Sequence, residues 1–498
     1  MSEVDLTNFK KGPMVAVLLL GAFFSLLNET LLATALPSIM ADFGITQNKV
    51  QWLTTAFLLT NGIMIPISAF LIERFTTRKL FLYAISVFAL GTMVAAVSHS
   101  FPLLLAARII QATGSGIMLP LMMTVLLTIF PIEKRGAAMG MAGIVISFAP
   151  AIGPTLSGWL LDSYSWRSLF YVVVPIALLT LIGAVFFVKN VTKLTYPKID
   201  VLSILLSSFG FGGLLYGFSS AGEKGWDSAF VISCIIGGTI ILTLFIIRQL
   251  RLKVPMLEFR VFNNSIFSIS LIVTMIVLIS LIGAETLLPL YMQITRGFTP
   301  LESGLMLLPG AIVMGIMSPI TGILFDKVGA KVLAIPGLLI VSVTTYLFSN
   351  LTLDTSFTFL TIVYAIRMFG LSLIMMPMMT NGLNQLPQKW NSHGTAMANT
   401  MQQVSASIGT ALLVTIVTIG SARYEPNTAA LADLSQAEAQ QYVTNQALIS
   451  GYNLAFLAAS ALTVAGLILT LFLKENPSWQ EQKAGETAAR TEERPVQS

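Results

Sequence analysis

A single cysteine, Cys234, occurs in 498 residues, so no intrachain disulfide can form and no thiolate metal cluster can be built. Histidine is nearly as scarce. His99 and His393 lie far apart in sequence and near expected helix ends, where a solvated side chain is the simplest reading, and no metal site is expected. Charged residues make up only 10% of the chain, against roughly 25% in an ordinary soluble domain. A soluble fold of this length would need more polar surface than that. No Gly-rich loop ending in Lys-Ser/Thr is present, which argues against ATP hydrolysis by the chain itself; nor is there a His-Glu-x-x-His zinc spacing or a nucleophile paired with His in a credible soluble site. No cofactor and no enzymatic activity are expected, and the net charge of +5 is read as a report on membrane orientation rather than on nucleic acid.

What the chain has in abundance is apolar sequence, 55% by residue type. Runs long enough to cross a ~30 Å hydrocarbon layer as helix lie near 14–36, 52–72, 80–98, 102–129, 136–160, 168–188 and 200–221. A further set lies near 228–247, 266–292, 303–325, 332–350, 357–380, 394–420 and 452–473, making fourteen spans. The first run follows Lys10 and Lys11, as a signal peptide would, but at about 23 residues it is read as an uncleaved first helix. An even count places both termini on one side. Of 28 Lys and Arg residues, 21 fall on that side, which the positive-inside rule makes cytoplasmic. Residues 421–450 read as an outer loop in which Ser435 and Glu438 have capping-box spacing for a short surface helix, and the charged tail 475–498 is expected to be disordered.

The segment AFLIERFTTRK at 69–79 follows the second span, and GILFDKVGAKV at 322–332 follows the tenth. They align at an offset of 253, matching Glu73 with Asp326 and Arg74 with Lys327. Spans 1–6 then repeat as spans 9–14, with spans 7 and 8 inserted, and transporters built from such repeats place substrate between the halves near the membrane middle. RIIQATGSG at 108–116 and APAIGPTLSG at 149–158 add two further motifs.

With these segments the chain resembles the fourteen-helix drug:proton antiporter branch of the major facilitator superfamily, of the lincomycin-resistance and multidrug-exporter type. The first loop resembles the acid–basic–x–Gly–basic signature of that family, with Glu73 for the usual aspartate and Thr76 for the turn glycine; Arg74, Arg78, Asp326 and Lys327 complete the paired gating loops. The 108–116 segment resembles the fourth-helix motif, and Pro150, Gly153, Pro154 and Gly158 match the fifth-helix motif associated with antiporters. Ala149, Gly153 and Ser157 form a small-residue stripe that permits close helix approach. The resemblance implies an all-α polytopic membrane protein with the major facilitator fold: a six-helix bundle over 1–198, inserted helices 7 and 8 over 199–260, and a second six-helix bundle over 261–474. It implies a monomer in the cell membrane, powered by the proton gradient, that binds small amphiphilic or cationic drugs.

Mid-span charges are costly, by roughly 2.5–3.5 kcal/mol on insertion scales, so each needs an explanation. Glu29 in the first span and Arg108 in the fourth are expected at one depth, Glu285 in the ninth at a similar depth, and Arg367 in the twelfth closer to the middle. The first span of each half thus carries a carboxylate. In the broader family that the chain resembles, the first helix often has Asp where Asn28 stands, so by that resemblance the acid is displaced by one position to Glu29. Burial favours a neutral carboxyl and a neighbouring guanidinium an ionised one. In this reading Glu29 and Glu285, with Arg108, exchange protons against a bound cation; the alternative for Glu29 and Arg108 is an ion pair that only fixes packing. Asn28, Asn61, Asn381 and Gln402 are candidates to orient substrate, and packing roles stay open for them. The expected function is proton-coupled export of amphiphilic or cationic drugs, with a dedicated exporter or importer of one physiological solute as the alternative and a membrane-embedded enzyme or receptor as the reading from another class.

Overall fold

The computed structural model describes residues 11–197, 199–426 and 435–473. Lys10, Lys198 and the tail 475–498 lie outside the described residues, as does 427–434 of the expected outer loop. Among the described residues the regular structure is helical: α1 Lys11–Leu31, α2 Leu36–Phe43, α3 Gln47–Arg74, α4 Thr77–Ala96, α5 Phe101–Ile129, α6 Arg135–Ser163, α7 Ser168–Phe187 and α8 Val201–Lys224. The chain continues as α9 Ala229–Arg251, α10 Ser265–Leu290, α11 Pro300–Val328, α12 Ala330–Leu347, α13 Phe357–Ser372, α14 Met375–Asn384, α15 Asn391–Ala422 and α16 Gln436–Leu471. Among the described residues, fourteen helical segments are long and apolar enough to cross a membrane, α13 and α14 forming one of them. The chain is a multi-pass membrane protein.

Three departures from the expected spans have local causes. Beyond the first span, Lys11–Leu31, the helical path continues: a 3₁₀ turn at Ala33–Ala35 leads into α2, which runs to Phe43, where Gly44 ends it with φ of 59°. The twelfth span breaks between α13 and α14 because Pro377 has no N–H for the carbonyl of Leu373 and its ring crowds that carbonyl. The Ser435–Glu438 capping box is present, but the helix it starts is not a separate surface element; α16 runs unbroken for 36 residues, about 54 Å, into the last span.

The helices separate into two packed sets. One buried apolar core draws mainly on α1 and α3 to α7 and extends into α2, α8, α9, α10, α14 and α15; the other draws on α10 to α16. The sets meet along two seams, α6 against α11 and α3 against α15, which pair the fifth helix of one set with the second helix of the other. Close approach at the first seam needs glycine: a Cβ on Gly136 would sit 2.4 Å from the Gly322 carbonyl oxygen, and one on Gly322 would sit 2.2 Å from that of Gly136. Helix α8 packs on both α3 and α15 and on α9. Only 17% of the apolar window of α9 is buried, so α9 is the outermost span, with lipid as its solvent.

Candidate functional site

The ends of α3 and α11 carry the basic loops and mark what is called here the basic face, the face of Lys11 and Leu473. Near it the two sets are joined by polar bonds built on the repeated acids. Asp326, at the end of α11, accepts the backbone N–H groups of Gly136 and Ala137 at 2.7 and 2.9 Å. These are orphan donors of the first turn of α6, where a helix favours an anion. Glu73, at the end of α3, meets the start of α15: His393 Nε2 lies 2.8 Å from its Oε1, and Ser392 Oγ donates at 3.2 Å. Both acids therefore grip the first turn of the fifth helix in the opposite set. Arg135 Nη1 donates to Asn384 Oδ1 at 3.1 Å, and the Thr124 and Thr395 hydroxyls share a hydrogen bond at 2.8 Å.

The basic residues of the first gating loop act within the first set. Arg74 donates to the Pro197 carbonyl at 2.7 Å and Arg78 to the Val185 carbonyl at 2.6 Å, while Thr195 Oγ1 donates to Glu73 at 3.1 Å. Lys327 is exposed in the last turn of α11. His393 departs from its expectation. It does stand at a helix start, but it is 5% exposed and paired with Glu73 rather than solvated, because the start of α15 is covered by the opposite set.

Beyond these contacts, on the side away from the basic face, a cavity of about 340 Å³ lies between α1, α3, α8, α10 and α15. That is within the size range of small-molecule sites. Glu29 is its single charged lining residue among those described. The α15 wall presents Gln403, Ser407, Thr410 and Val414 at helical spacing, α3 presents Thr55, Leu58 and Leu59, and α10 presents Ile282. The wall is largely aliphatic, with hydroxyls and one amide available for hydrogen bonds.

A buried polar chain supports Glu29 from behind. Arg108 is fully buried in α5, within electrostatic reach of Glu29, with its guanidinium 4.1 Å from the Phe57 ring centroid. It donates to Gln111 Oε1 at 2.9 Å, to the Leu53 carbonyl at 3.4 Å and to the Asn28 carbonyl at 3.5 Å; Gln111 in turn donates to Thr92 Oγ1 at 2.9 Å. Four helices, α1, α3, α4 and α5, are tied at that level. Helix α6 closes on α1 from another side: a Cβ on Gly153 would fall 2.1 Å from Thr30 Oγ1, and Thr34 Oγ1 donates to Ser157 Oγ at 2.5 Å. The small residues of the 149–158 motif thus set the position of the turn bearing Glu29. In the same motif Pro150 is half-buried, Gly158 has open space where a Cβ would stand, and the side chain of Pro154 lies outside the described residues.

The second set repeats the arrangement. Arg367, fully buried in α13, donates to the Ser280 carbonyl at 2.6 Å and Oγ at 2.9 Å and to Thr345 Oγ1 at 3.3 Å, linking α13 to α10 and α12. Glu285 lies within electrostatic reach of Arg367 and of Tyr364. Pro289, four residues later, leaves the Glu285 carbonyl without its helical donor, and a π turn follows at Tyr291–Thr295. Glu285 does not line the cavity; Ile282, one turn before it, does.

The remaining candidates lie elsewhere. Asn28 is buried beside Arg108, Asn61 is buried where α3 meets Gly116 of α5, and Asn381 donates to Ser270 Oγ at 3.2 Å. Gln402 turns to Met379, with its Nε2 3.5 Å from the sulfur, and its neighbour Gln403 takes the place in the cavity. The α8 residues of the wall were not among the sequence candidates. A stripe of small and polar residues at 403, 407 and 410 is the signal that could have found the α15 wall.

The model of the Major Facilitator Superfamily matches residues 18–410. The chain belongs to this superfamily. Over 482 residues it is 52% identical to the uncharacterized MFS-type transporter YcnB of Bacillus subtilis, covering 97% of this chain and 99% of that protein. The lincomycin resistance protein LmrB of the same bacterium is 45% identical over 468 residues, covering 94% and 96%. The crystal structure of the human organic anion transporter MFSD10 aligns with a TM-score of 0.65 over 92% of this chain and 99% of that one; at 14% identity the likeness is of fold. This major facilitator transporter therefore takes a small molecule as its substrate, and its cavity between the two sets is the place that can hold one.

Proposed function

We propose that this transporter is a proton-coupled antiporter that exports amphiphilic or cationic small molecules, with its basic face in the cytoplasm of a cell membrane. The observation that carries the reading is Glu29, the one charged group described in the lining of an otherwise neutral cavity. On such a carboxylate a proton and an organic cation are competing occupants. Ionised, it attracts the cation; protonated, it loses the attraction, and the cargo leaves. Arg108 keeps Nη2 without a hydrogen-bond partner among the described residues, so the guanidinium is available to the acid once its proton has left. Glu285 and Arg367 repeat the pairing in the second set and form the second proton site of this reading.

The distribution of basic residues supports cytoplasmic termini, and the names of relatives such as LmrB support a drug as cargo. With the contacts near the basic face made and the cavity beyond them, the conformation corresponds to one closed to the cytoplasm. Efflux of ethidium from cells expressing the chain, with and without an uncoupler, tests the reading: uncoupler-sensitive efflux that Glu29→Gln abolishes is expected. Efflux that survives the uncoupler would remove the proton coupling. Inactivity towards every organic cation tried would favour one dedicated solute.

A further inference from the structure

Helix α8 belongs to the inserted pair and has no counterpart in the internal repeat. Even so, three of its residues, Leu215, Phe218 and Ser219, face the cavity that contains Glu29. Their spacing of three and four places them on one face of the helix. Two independent sets of contacts hold that face in position. Towards α3, the Leu215 side chain occupies the space beside Gly62, where a Cβ would lie 2.3 Å from Leu215 Cδ1, and the Tyr216 ring packs at 5.5 Å on Trp52. Towards α15, Trp226, just past the end of α8, donates to Thr415 Oγ1 at 2.5 Å and meets the Phe218 ring edge-on at 6.2 Å. The helix is thus fastened to both sets across the α3–α15 seam rather than resting on one of them in lipid.

We infer that α8 forms a specificity wall of the substrate site, in which the Phe218 ring selects cargo with an aromatic or delocalised cationic body and Ser219 adds a hydrogen-bonding edge. The inference rests on the transport reading of the cavity and deepens it. Phe218 is the one aromatic ring among the described lining residues, and Glu29 the one charge. A carboxylate attracts any cation, so it cannot rank cations by shape. An aromatic face adds an attraction that depends on contact with the cation and its apolar groups, and ranking therefore falls to α8. In this account α8 of the inserted pair supplies discrimination, while the two six-helix sets supply gating and proton exchange.

Two measurements test this separately from the proton reading. In a Cys234→Ser background, Ser219→Cys should react with a membrane-impermeant cationic methanethiosulfonate and be protected by tetraphenylphosphonium, while Phe209→Cys, on the exposed side of α8, should not react. An inert Ser219→Cys in a folded, active protein would overturn the wall. In proteoliposomes with an imposed pH gradient, Phe218→Leu should raise KM for tetraphenylphosphonium about three- to thirty-fold, leave tetrabutylammonium within about two-fold, and leave kcat unchanged. Phe218→Tyr should restore the tetraphenylphosphonium KM. Phe230→Leu, which alters the ring packed on Tyr216 outside the cavity, should not separate the two cations. Equal effects of Phe218→Leu on both cations, or none on either, would refute the role of the ring. If the native protein moves neither cation while Ser219→Cys still reacts, the cation reading fails and the α8 wall stands.

Discussion

Asp326→Asn is the substitution whose consequence follows most directly from geometry. The native carboxylate accepts two backbone N–H groups, at 2.7 and 2.9 Å, at the start of α6. An amide of the same shape retains one carbonyl oxygen, turns an N–H₂ group towards the second donor, and loses the negative charge that the helix start favours. Hydrogen bonds to charged groups contribute about 1.5–3 kcal/mol each. Losing one and weakening the other removes about 2–4 kcal/mol from the state closed at the basic face, a shift of about 30- to 1,000-fold in the balance between closed and open. Thr395 reports the change because it is fully buried between the two sets, bonded to Thr124 of the opposite one. In a Cys234→Ser, Thr395→Cys protein in inside-out vesicles, Asp326→Asn should accelerate modification by an impermeant thiol reagent by at least ten-fold. Modification at an unchanged rate would refute the claim that the Asp326 contacts hold the halves together there.

Further outcomes follow from other contacts. Arg108→Ala should abolish cation transport, and Arg108→Lys should fail to restore it, because one ammonium cannot reach Gln111 and the Leu53 and Asn28 carbonyls together; uptake in proteoliposomes checks this. Gly153→Val drives side-chain atoms into Thr30, so it should lower stability by about 1–3 kcal/mol or more, read as a lower melting temperature in detergent, with transport reduced alongside. Asp42, outside the spans, accepts hydrogen bonds from Trp166 Nε1 and Arg167 Nη1, each at 3.0 Å, and these hold its carboxyl below the usual range. Because the folded state favours the ionised form, this stabilisation is present above the unfolded value of about 3.9 and is lost as pH falls through the lower folded one. Thermal stability of the native protein should therefore fall slightly more steeply below about pH 4 than that of Asp42→Asn; parallel curves would contradict the assignment.

The fourteen spans were legible because an apolar run of about 20 residues has one economical way to satisfy its backbone in lipid. Their ends were less so. Nothing in the hydropathy of Leu32 to Phe43 separates the end of a span from a tightened helix that continues, and the apolar run through Pro377 hides a break whose cause is local. The acid pair Glu73 and Asp326 was legible as a repeat, but the partners of those acids, His393 and the Gly136 and Ala137 amides, come from distant segments joined only by folding. Glu29 could be singled out because a charge in a span is costly. Choosing between Gln402 and Gln403 was harder, since one residue is about 100° of helix rotation and the neighbours that decide it are long-range. The α8 wall had no signal of its own: Phe218 and Ser219 sit in an ordinary apolar helix outside the repeat, and only its position across the α3–α15 seam gives them a cavity to line.

The central claim is that Glu29 exchanges a proton for a cation, and countertransport in sealed proteoliposomes tests it most directly. With tetraphenylphosphonium movement followed by an electrode and internal pH by a trapped dye, the native protein should move protons one way as the cation moves the other. Glu29→Gln should stop both fluxes, while labelling of Ser219→Cys in the same protein by the impermeant thiol reagent shows that the cavity persists. Continued proton-linked transport by a folded Glu29→Gln protein would contradict the account.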